Sequence, residues 1–214
     1  MLSDAELERS KSLKCQHKEK YIFERGKLRS LLARHIGCNA SEINILRSSK
    51  GKPYLGSDQH KGWHFSLSYS DKLFAIAISN TGRIGVDIDS SLRSNHFEKI
   101  AKQYFSADEQ LLLSEIRKSS ESEFNNCFMR LWTLKESVGK LMGEGLNKNL
   151  LKNALTIVDK GIELNKDWLA KQVNGSTSYQ SFQLPPYFLS IVFESEIPTD
   201  IQIYDSESKW LQIT

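Results

Sequence analysis

Residues 83–89, RIGVDID, alternate apolar and polar side chains in the pattern of a half-buried β-strand. Because successive side chains of a strand point to opposite faces, its three β-branched residues are expected to face the core. Asp87 and Asp89 then lie together on the other face. Two carboxylates on one face of a rigid strand suit a hard cation such as magnesium, which takes oxygen ligands. Solvated acids on the outer face of an ordinary strand would produce the same pattern.

A strong amphipathic helix is predicted from Phe128 to Met142, and it overlaps the segment LWTLKESVGKLMGEGL (131–146). Glu136 and Lys140 are four residues apart on its polar face, where they are either functional or an ordinary surface ion pair. The glycines that follow Met142 need no functional explanation, since glycine commonly ends helices. The apolar stripe of the helix consists of Leu131, Leu134, Val138, Leu141 and Met142.

The rest of the chain contains further helix and strand patterns. The apolar strands LFAIAIS (73–79) and YFLSIVFES (187–195) hold comparable positions in two parts of the chain, so two related α+β halves are conceivable. Further helices are predicted at 18–36 and 97–116, further strands at 64–68 and 200–204, and loops at 117–126 and 174–181.

The composition indicates a globular protein. Apolar residues make up 39% of the 214 residues, enough to bury a core. A formal charge of +3 is too slight to favour a nucleic-acid partner. The longest apolar run, Leu73 to Ile78, is far shorter than the roughly 18 residues of a membrane helix. Three cysteines without a CxxC pair, and a charged segment at residues 4–20, predict a soluble cytoplasmic protein.

Two further segments contain groups that could hold a phosphate. In GKPY (51–54), proline stiffens a turn that displays Lys52. In WHFSLSYSD (63–71), a strand ends in two serines and Tyr69, whose hydroxyl groups and backbone N–H groups could donate hydrogen bonds. Each segment alone is also common in proteins that bind no phosphate.

Taken in order, GKPY, FSLSYSD, GVDID and WTLKESVGKLMGEGL resemble the motifs of the Sfp-type phosphopantetheinyl transferases. The usual family pattern is GKP, then FNxSHS, then GxDxE, then WxxKEAxxKxxGxGL. Each motif is weak alone, but four in this order are specific. FERGKLRSLLARHIG (23–37) also looks like the N-terminal helix of that family, so the resemblance covers about residues 18–146.

The resemblance implies a metal site and a catalytic helix. Asp87, Asp89 and Glu136 would hold Mg²⁺, which would bridge the pyrophosphate of coenzyme A. Glu136 would also take the proton from a serine of the carrier protein. Lys140 would stabilise the departing adenosine 3′,5′-bisphosphate, and Lys135 would also contact phosphate.

The resemblance further implies that Lys52, Ser68 and Tyr69 line the pocket for the adenosine 3′-phosphate. Pro53 would lie near the adenine base, and Arg25 is a further candidate for contact with coenzyme A. The chain departs from the family pattern at three of its positions. Tyr69 stands where the family usually has histidine, so a possible cation at the 3′-phosphate is lost. Ser66 replaces asparagine, and Asp89 replaces glutamate with a side chain one methylene shorter.

The implied fold is an α+β pseudo-dimer, in which one chain contains two similar α/β halves. The expected halves are residues 1–90, with the coenzyme A 3′-phosphate and adenine contacts, and residues 91–214, with the catalytic helix. The metal site would lie at their interface, and the boundary would fall near 84–95. The expected partners are coenzyme A and an apo acyl or peptidyl carrier protein, with no nucleic acid or membrane, and the expected state is a monomer.

Two other functions would also use these residues. A magnesium-dependent phosphohydrolase or nuclease could employ Asp87, Asp89 and Glu136, but it gives no reason for GKP or for the helix of Trp132. A degenerate relative could bind coenzyme A or a carrier without transferring the group. The intact Asp87, Glu136 and Lys140 argue against that second alternative.

Overall fold

A computed structural model of the chain divides into two compact units, Met1–His64 and Phe65–Thr214. It describes residues 2–56, 58–70, 73–91, 96–158, 161–173 and 175–194, with the backbone of 202–204 and 210–212. Asp71 of the predicted phosphate-binding segment, and residues 92–95 beside the predicted half boundary, lie outside the described residues. Across these described parts of the chain, no helix is both long enough and apolar enough to span a bilayer.

The first unit contains, in chain order, α1 (Asp4–Lys11), α2 (Cys15–Ile36), β1 (Ile45–Arg47), β2 (Pro53–Leu55) and a short 3₁₀ helix (Asp58–His60). Helix α2 confirms the helix predicted at 18–36 and ends at Gly37, whose φ of 81° lies in the left-handed region that glycine adopts readily. Buried Arg29 donates hydrogen bonds to Glu6 Oε2 at 2.6 Å and to the Ile43 carbonyl at 2.7 Å. This one guanidinium therefore joins α1, α2 and the segment before β1.

The second unit contains, in chain order, β3 (His64–Ser70), β4 (Leu73–Ser79), β5 (Ile84–Ser90), α3 (Phe97–Tyr104), α4 (Ala107–Ser119), α5 (Glu121–Met142), α6 (Lys148–Asn153), β6 (Leu155–Val158), β7 (Gly161–Leu164), α7 (Lys166–Leu169), β8 (Ser178–Leu184), β9 (Tyr187–Phe193), β10 (Gln202–Tyr204) and β11 (Trp210–Gln212). β5, β9 and β8 form a three-stranded antiparallel sheet in that order, while β3 pairs with β4 and β6 with β7. The predicted α+β fold class is confirmed.

Helix α5 packs on β5 and β9, and its predicted apolar stripe lies in the larger buried apolar cluster. Leu131, Leu134, Val138 and Leu141 are each at most 3% exposed, and Met142 is partly buried against the same cluster. The stripe is continuous because its residues recur every three or four positions along a helix of 3.6 residues per turn. The prediction of this helix and of its buried face is confirmed.

The close approach of α5 to β5 depends on Gly85. A Cβ atom at this position would lie 2.0 Å from the carbonyl oxygen of Ser137 and 2.6 Å from the backbone nitrogen of Leu141. Both atoms belong to the helix backbone, so neither can turn aside. The Ser137 hydroxyl donates to the Ser190 carbonyl of β9 at 2.7 Å and so ties the helix to the sheet at the same level.

We expect Gly85→Ala to destabilise the protein by about 3 kcal/mol, at the upper end of the usual cost of overpacking, because the clash is with backbone atoms. Urea denaturation of the purified chain measures this loss. Gly26→Ala is the matched control, since Gly26 lies inside α2 with no atom within 4 Å of the new Cβ. The control should gain roughly 0.5–1 kcal/mol from better helix propensity. Equal stability of the two variants would contradict the packing described above.

Three predicted assignments of secondary structure are wrong in whole or in part. The polar stretch 117–126 is helical except at Ser120, which ends α4 and caps α5 through its side chain. The predicted helix 97–116 is divided before Ser106, whose side chain caps α4. Residues 178–181, predicted as loop, belong to β8 and pair with β9. In each case a polar stretch is stabilised by caps or strand pairing that periodicity does not report.

The tail strands are found where they were predicted, within the described residues. β9 occupies most of 187–195, and β10 lies within 200–204; residues 195, 200 and 201 are outside the described residues. β5 pairs with β9, so segments from both predicted halves contribute to one sheet. The two similar halves, 1–90 and 91–214, remain a prediction.

Candidate functional site

Strand β5 carries the two predicted metal ligands, and both of its faces are covered. Ile84, Val86 and Ile88 are at most 5% exposed and lie in one apolar cluster, as the alternation predicted. On the other face α5 packs over the strand, and Asp87 is only 6% exposed. The alternative of solvated acids on an outer face is therefore wrong for Asp87. Asp89, nearer the end of the strand, is half-buried.

Asp87 joins the strand to the catalytic-helix candidate α5. Its Oδ1 lies 2.8 Å from the ammonium nitrogen of Lys140 and accepts a hydrogen bond from the Ser68 hydroxyl at 2.7 Å. Lys140 therefore pairs with Asp87 across the helix–strand contact. Burial raises the pKa of the Asp87 carboxyl, Lys140 and Ser68 offset part of this rise, and the charge of Asp89 adds to it.

Glu136 is the least satisfied acid of the group. Its Oε1 is buried and accepts no hydrogen bond from any described residue. Burial, together with the charges of Asp87 and Asp89, raises the pKa of Glu136 to about 7, although Lys140 lowers it. A half-buried carboxyl with a pKa near neutrality, beside a lysine, can take up and release a proton as a general acid or base must.

We expect the ligand-free protein to lose stability as the pH rises from about 4.5 to about 7. A carboxyl whose pKa is raised on folding contributes fully below its unfolded value of 4.5, and the contribution is lost through the folded value of about 7. For Glu136 the loss amounts to roughly 3 kcal/mol, before solvent screening reduces it. Urea denaturation in a chelator at pH 5 and pH 8 measures the difference.

Glu136→Gln should remove this part of the pH dependence. Glu123→Gln is the control, because Glu123 is exposed in the first turn of the same helix. The stability of the Glu136→Gln variant relative to the control should rise between pH 5 and pH 8. Parallel pH profiles for the two variants would show that Glu136 titrates near its ordinary value.

Ser68 and Tyr69, predicted at the 3′-phosphate, point to opposite faces of β3. Ser68 is 4% exposed and its hydroxyl is donated to Asp87, so in this structure it serves the acid pair. Tyr69 is 41% exposed and its ring stacks on Phe74 with centroids 4.8 Å apart. Of the two neighbours, only Tyr69 presents its side chain at the surface.

Lys135 is not placed where it could contact phosphate, although it precedes Glu136 directly. Its side chain is completely buried, and its ammonium lies 2.7 Å from Glu109 Oε1, which is also completely buried. It also donates a hydrogen bond to the Leu151 carbonyl and lies 5.2 Å from the centroid of the Phe105 ring. Burial lowers the pKa of Lys135, and Glu109 offsets part of the shift. The predicted phosphate contact is corrected to a role in the core.

Three predicted coenzyme A contacts lie in the first unit. The Arg25 guanidinium lies 5.6 Å from the Tyr21 ring centroid, and the Arg25 side chain is mostly buried. Lys52 is half-buried before β2, and Pro53 begins that strand opposite Arg47. A cavity of about 550 Å³ in this unit is lined by Asp4, Leu7, Glu8, Ser10, Lys11, Lys18 and Ile22. None of these lining residues was a predicted site residue.

The sequence reasoning missed Glu109 and the contribution of β3. Glu109 caps α4 by accepting the N–H of Ser106 at 2.6 Å, while its other oxygen pairs with Lys135. The Ser106–Glu109 spacing is a capping-box signal, but nothing in the sequence shows that the glutamate also meets a lysine from another helix. Ser70, considered from the sequence only as a possible phosphate donor, donates its hydroxyl to Asp89 Oδ1 at 3.2 Å.

A magnesium ion fits these residues by donor chemistry. Within the described residues, no three His, Cys, Asp or Glu side chains form a preformed metal centre. Magnesium does not need one, because it usually keeps several waters and is bound by one or two carboxylates together with substrate phosphates. The buried, unpaired Oε1 of Glu136, beside the charges of Asp87 and Asp89, is the group that a cation would stabilise.

The chain is similar to several curated proteins. It is 32% identical over 134 residues to the 4′-phosphopantetheinyl transferase HetI of Nostoc sp., a match that covers 62% of this chain and 55% of HetI. It is 30% identical over 162 residues to the 4′-phosphopantetheinyl transferase gsp of Aneurinibacillus migulanus, covering 74% of this chain and 56% of that protein. The chain thus spans about half the length of the curated relatives it matches.

A solved structure and a family model also match. The chain is similar to a holo-(acyl-carrier-protein) synthase from Bacillus anthracis in complex with CoA (3′,5′-ADP), with 16% identity, a TM-score of 0.41 and coverage of 53% of this chain and 96% of that one. The model of the 4′-phosphopantetheinyl transferase superfamily matches residues 83–192, just over half of the chain, and this range contains β5 and all of α5. The chain belongs to the 4′-phosphopantetheinyl transferase superfamily.

Proposed function

We propose that this chain transfers the 4′-phosphopantetheine group of coenzyme A to a serine of an apo acyl or peptidyl carrier protein. The serine oxygen forms a bond to the β-phosphorus, the pyrophosphate bond to that phosphorus breaks, and adenosine 3′,5′-bisphosphate leaves. The observation that carries the proposal is half-buried Glu136, whose Oε1 is buried without a hydrogen-bond partner among the described residues, beside the Lys140–Asp87 pair. Membership of the superfamily supports it, as do relatives named as transferases of this type.

Glu136 supplies the base in this proposal. In the metal-free chain its pKa of about 7 allows it to gain or lose a proton near neutral pH, as a general base must. With Oε1 free of protein hydrogen bonds among the described residues, that oxygen is available to a ligand. Its half-buried position limits the competition of bulk water for the proton.

Lys140 supplies positive charge for the leaving group. Asp87 holds its ammonium at 2.8 Å, and the lysine side chain keeps 27% exposure, so the charge is fixed in place and accessible. A cation positioned in advance stabilises the charge that develops on the departing bisphosphate. Asp87, Asp89 and Glu136 are the residues that would hold Mg²⁺, and when bound it would neutralise the pyrophosphate and act as a Lewis acid at the β-phosphorus.

The coenzyme A contacts of the first unit are part of the same proposal. Lys52 and Arg25 would provide positive charge for the adenosine 3′-phosphate, with Pro53 near the base. Exposed Tyr69 would donate a neutral hydrogen bond where the family usually has histidine. Ser68 is already used by Asp87 in this structure, so we propose no phosphate contact for it. A monomeric state is proposed on the resemblance, and a cytoplasmic location on the three cysteines without a CxxC pair.

Chromatographic detection of adenosine 3′,5′-bisphosphate tests the proposal. With coenzyme A and Mg²⁺, the chain should release the bisphosphate only when an apo carrier protein is present. Release without a carrier would identify a phosphohydrolase. Binding of coenzyme A without any release, over a panel of acyl and peptidyl carriers, would identify a relative that no longer transfers the group.

A further inference from the structure

Three serines occupy alternate positions of β3: Ser66, Ser68 and Ser70. Each is at most 4% exposed, whereas Tyr69 between them is 41% exposed, as the alternation of a strand requires. Serine is not a favoured residue for a strand interior, and burying a hydroxyl costs free energy unless it is hydrogen-bonded. The row of buried hydroxyls therefore needs a partner.

The partner is β5, and the three serines contact it in order. The Ser66 hydroxyl oxygen accepts the backbone N–H of Val86 at 3.1 Å. The Ser68 hydroxyl donates to Asp87 Oδ1 at 2.7 Å, and the Ser70 hydroxyl donates to Asp89 Oδ1 at 3.2 Å. We call these three residues the hydroxyl ladder. One of its members contacts the backbone, and the other two contact the acidic side chains.

With the hydroxyl ladder in place, each of the two carboxylates has one oxygen that accepts two hydrogen bonds from the described residues and one oxygen that accepts none from them. Asp89 Oδ1 accepts a second hydrogen bond from the N–H of Ser90 at 2.8 Å, and Asp87 Oδ1 is also bound by Lys140 at 2.8 Å. Within the described parts of the chain, every hydrogen bond to either carboxylate is accepted by Oδ1 and none by Oδ2. A carboxylate with one oxygen held by two donors has a fixed orientation, and its second oxygen remains available to a ligand.

We infer that Ser68 and Ser70 are positioning residues that orient Asp87 and Asp89 for a divalent cation. The inference rests on the proposed function, and it gives Ser68 a role different from the phosphate contact that the family resemblance implies. It also assigns a role to Ser70. Hydrogen-bond partners behind metal-binding carboxylates fix the geometry of the ligand, and their loss typically costs about 10- to 100-fold in metal affinity.

Ser70 provides the sharper test, because Asp87 keeps Lys140 when Ser68 is removed. Among the described residues, Asp89 keeps only a backbone donor when Ser70 is removed. The probe is Mn²⁺, a paramagnetic divalent cation, titrated into the full chain with coenzyme A present and followed by the electron paramagnetic resonance signal of free Mn²⁺. Ser70→Ala should raise the dissociation constant by about 10-fold or more. Ser70→Thr, which keeps the hydroxyl, should restore most of the affinity.

Ser66→Ala is the matched control from the same face of the same strand. It should lower the melting temperature, because the buried N–H of Val86 loses its acceptor, yet leave the Mn²⁺ dissociation constant within about twofold. If Ser70→Ala fails to fold, Ser70→Cys keeps a similar shape with a weaker donor and should show the same loss of affinity.

Two results would overturn the inference and are distinguishable. The first is a folded Ser70→Ala or Ser70→Cys variant that binds Mn²⁺ as tightly as the wild type does. This result would rule out the positioning role and leave the proposed function untouched. No Mn²⁺ binding by the wild type with coenzyme A present would remove the metal site, and with it the proposed function and this inference together.

Discussion

Glu136→Gln is expected to lower the turnover of carrier modification by at least ~10²-fold, the lower range for loss of a positioned acid–base or electrostatic group. The substitution keeps the size of the side chain and removes the carboxylate that would accept the serine proton. Because Glu136 Oε1 has no hydrogen-bond partner among the described residues, the fold should not suffer. Steady-state rates and melting temperatures of the same preparation measure both effects.

The matched control is Glu123→Gln, the same chemical change at an exposed position of α5, which should keep wild-type turnover. Asp87→Ala should lose as much activity as Glu136→Gln, since it also releases Lys140. Asp89→Ala should lose less, because Asp89 is half-buried at the strand end and has the shorter side chain. Full activity of Glu136→Gln, with a melting temperature several degrees lower, would mean that Glu136 is structural.

Lys135→Met is expected to destabilise the protein by about 3–5 kcal/mol, the usual cost of removing one partner of a buried ion pair. The variant leaves Glu109 completely buried without its cation, and the Leu151 carbonyl loses its ammonium donor. Glu109 also caps α4, so the loss should reach the packing of α4 against α5. Urea denaturation gives the free energy of unfolding.

A double-mutant cycle separates the ion pair from the loss of volume. Glu109→Gln keeps an acceptor for the capping bond to Ser106, and Lys135→Met with Glu109→Gln removes both charges. The double variant should recover most of the stability lost in Lys135→Met. A Lys135→Met variant with native stability and a raised KM for coenzyme A would instead support the phosphate contact that the family resemblance implies.

The sequence predicted those parts of the fold that depend on periodicity. The alternation in β5 and the stripe of α5 follow from side-chain direction in a strand and a helix, so their buried faces were predicted. The same alternation placed Asp87 and Asp89 on one face. It did not show that α5 covers that face and buries Asp87, because this depends on tertiary packing at Gly85. The helical turns within 117–126 were missed for a similar reason, since Ser120 caps α5 in a stretch without an apolar stripe.

The sequence predicted the acids of the candidate site, but it did not predict the contacts that position them. Lys135 and Glu136 are adjacent in sequence, yet one is completely buried with Glu109 and the other is half-buried beside Asp87. The rotation of α5 about its own axis decides which side chain faces which partner, and this rotation is known only once the neighbouring elements are placed. Ser70 follows a recognisable alternation in β3, but its partner on β5 is known only once the strands are placed.

The most direct test of the central claim is the intact mass of a carrier protein after reaction. An apo acyl or peptidyl carrier is incubated with the chain, coenzyme A and Mg²⁺, beside the same carrier with its acceptor serine replaced by alanine. We predict that the carrier with serine gains the mass of one phosphopantetheine group, and that neither the alanine carrier nor a reaction with Glu136→Gln shows this gain on the same timescale. An unchanged mass across a panel of carriers, with coenzyme A bound and Mg²⁺ present, would contradict the account.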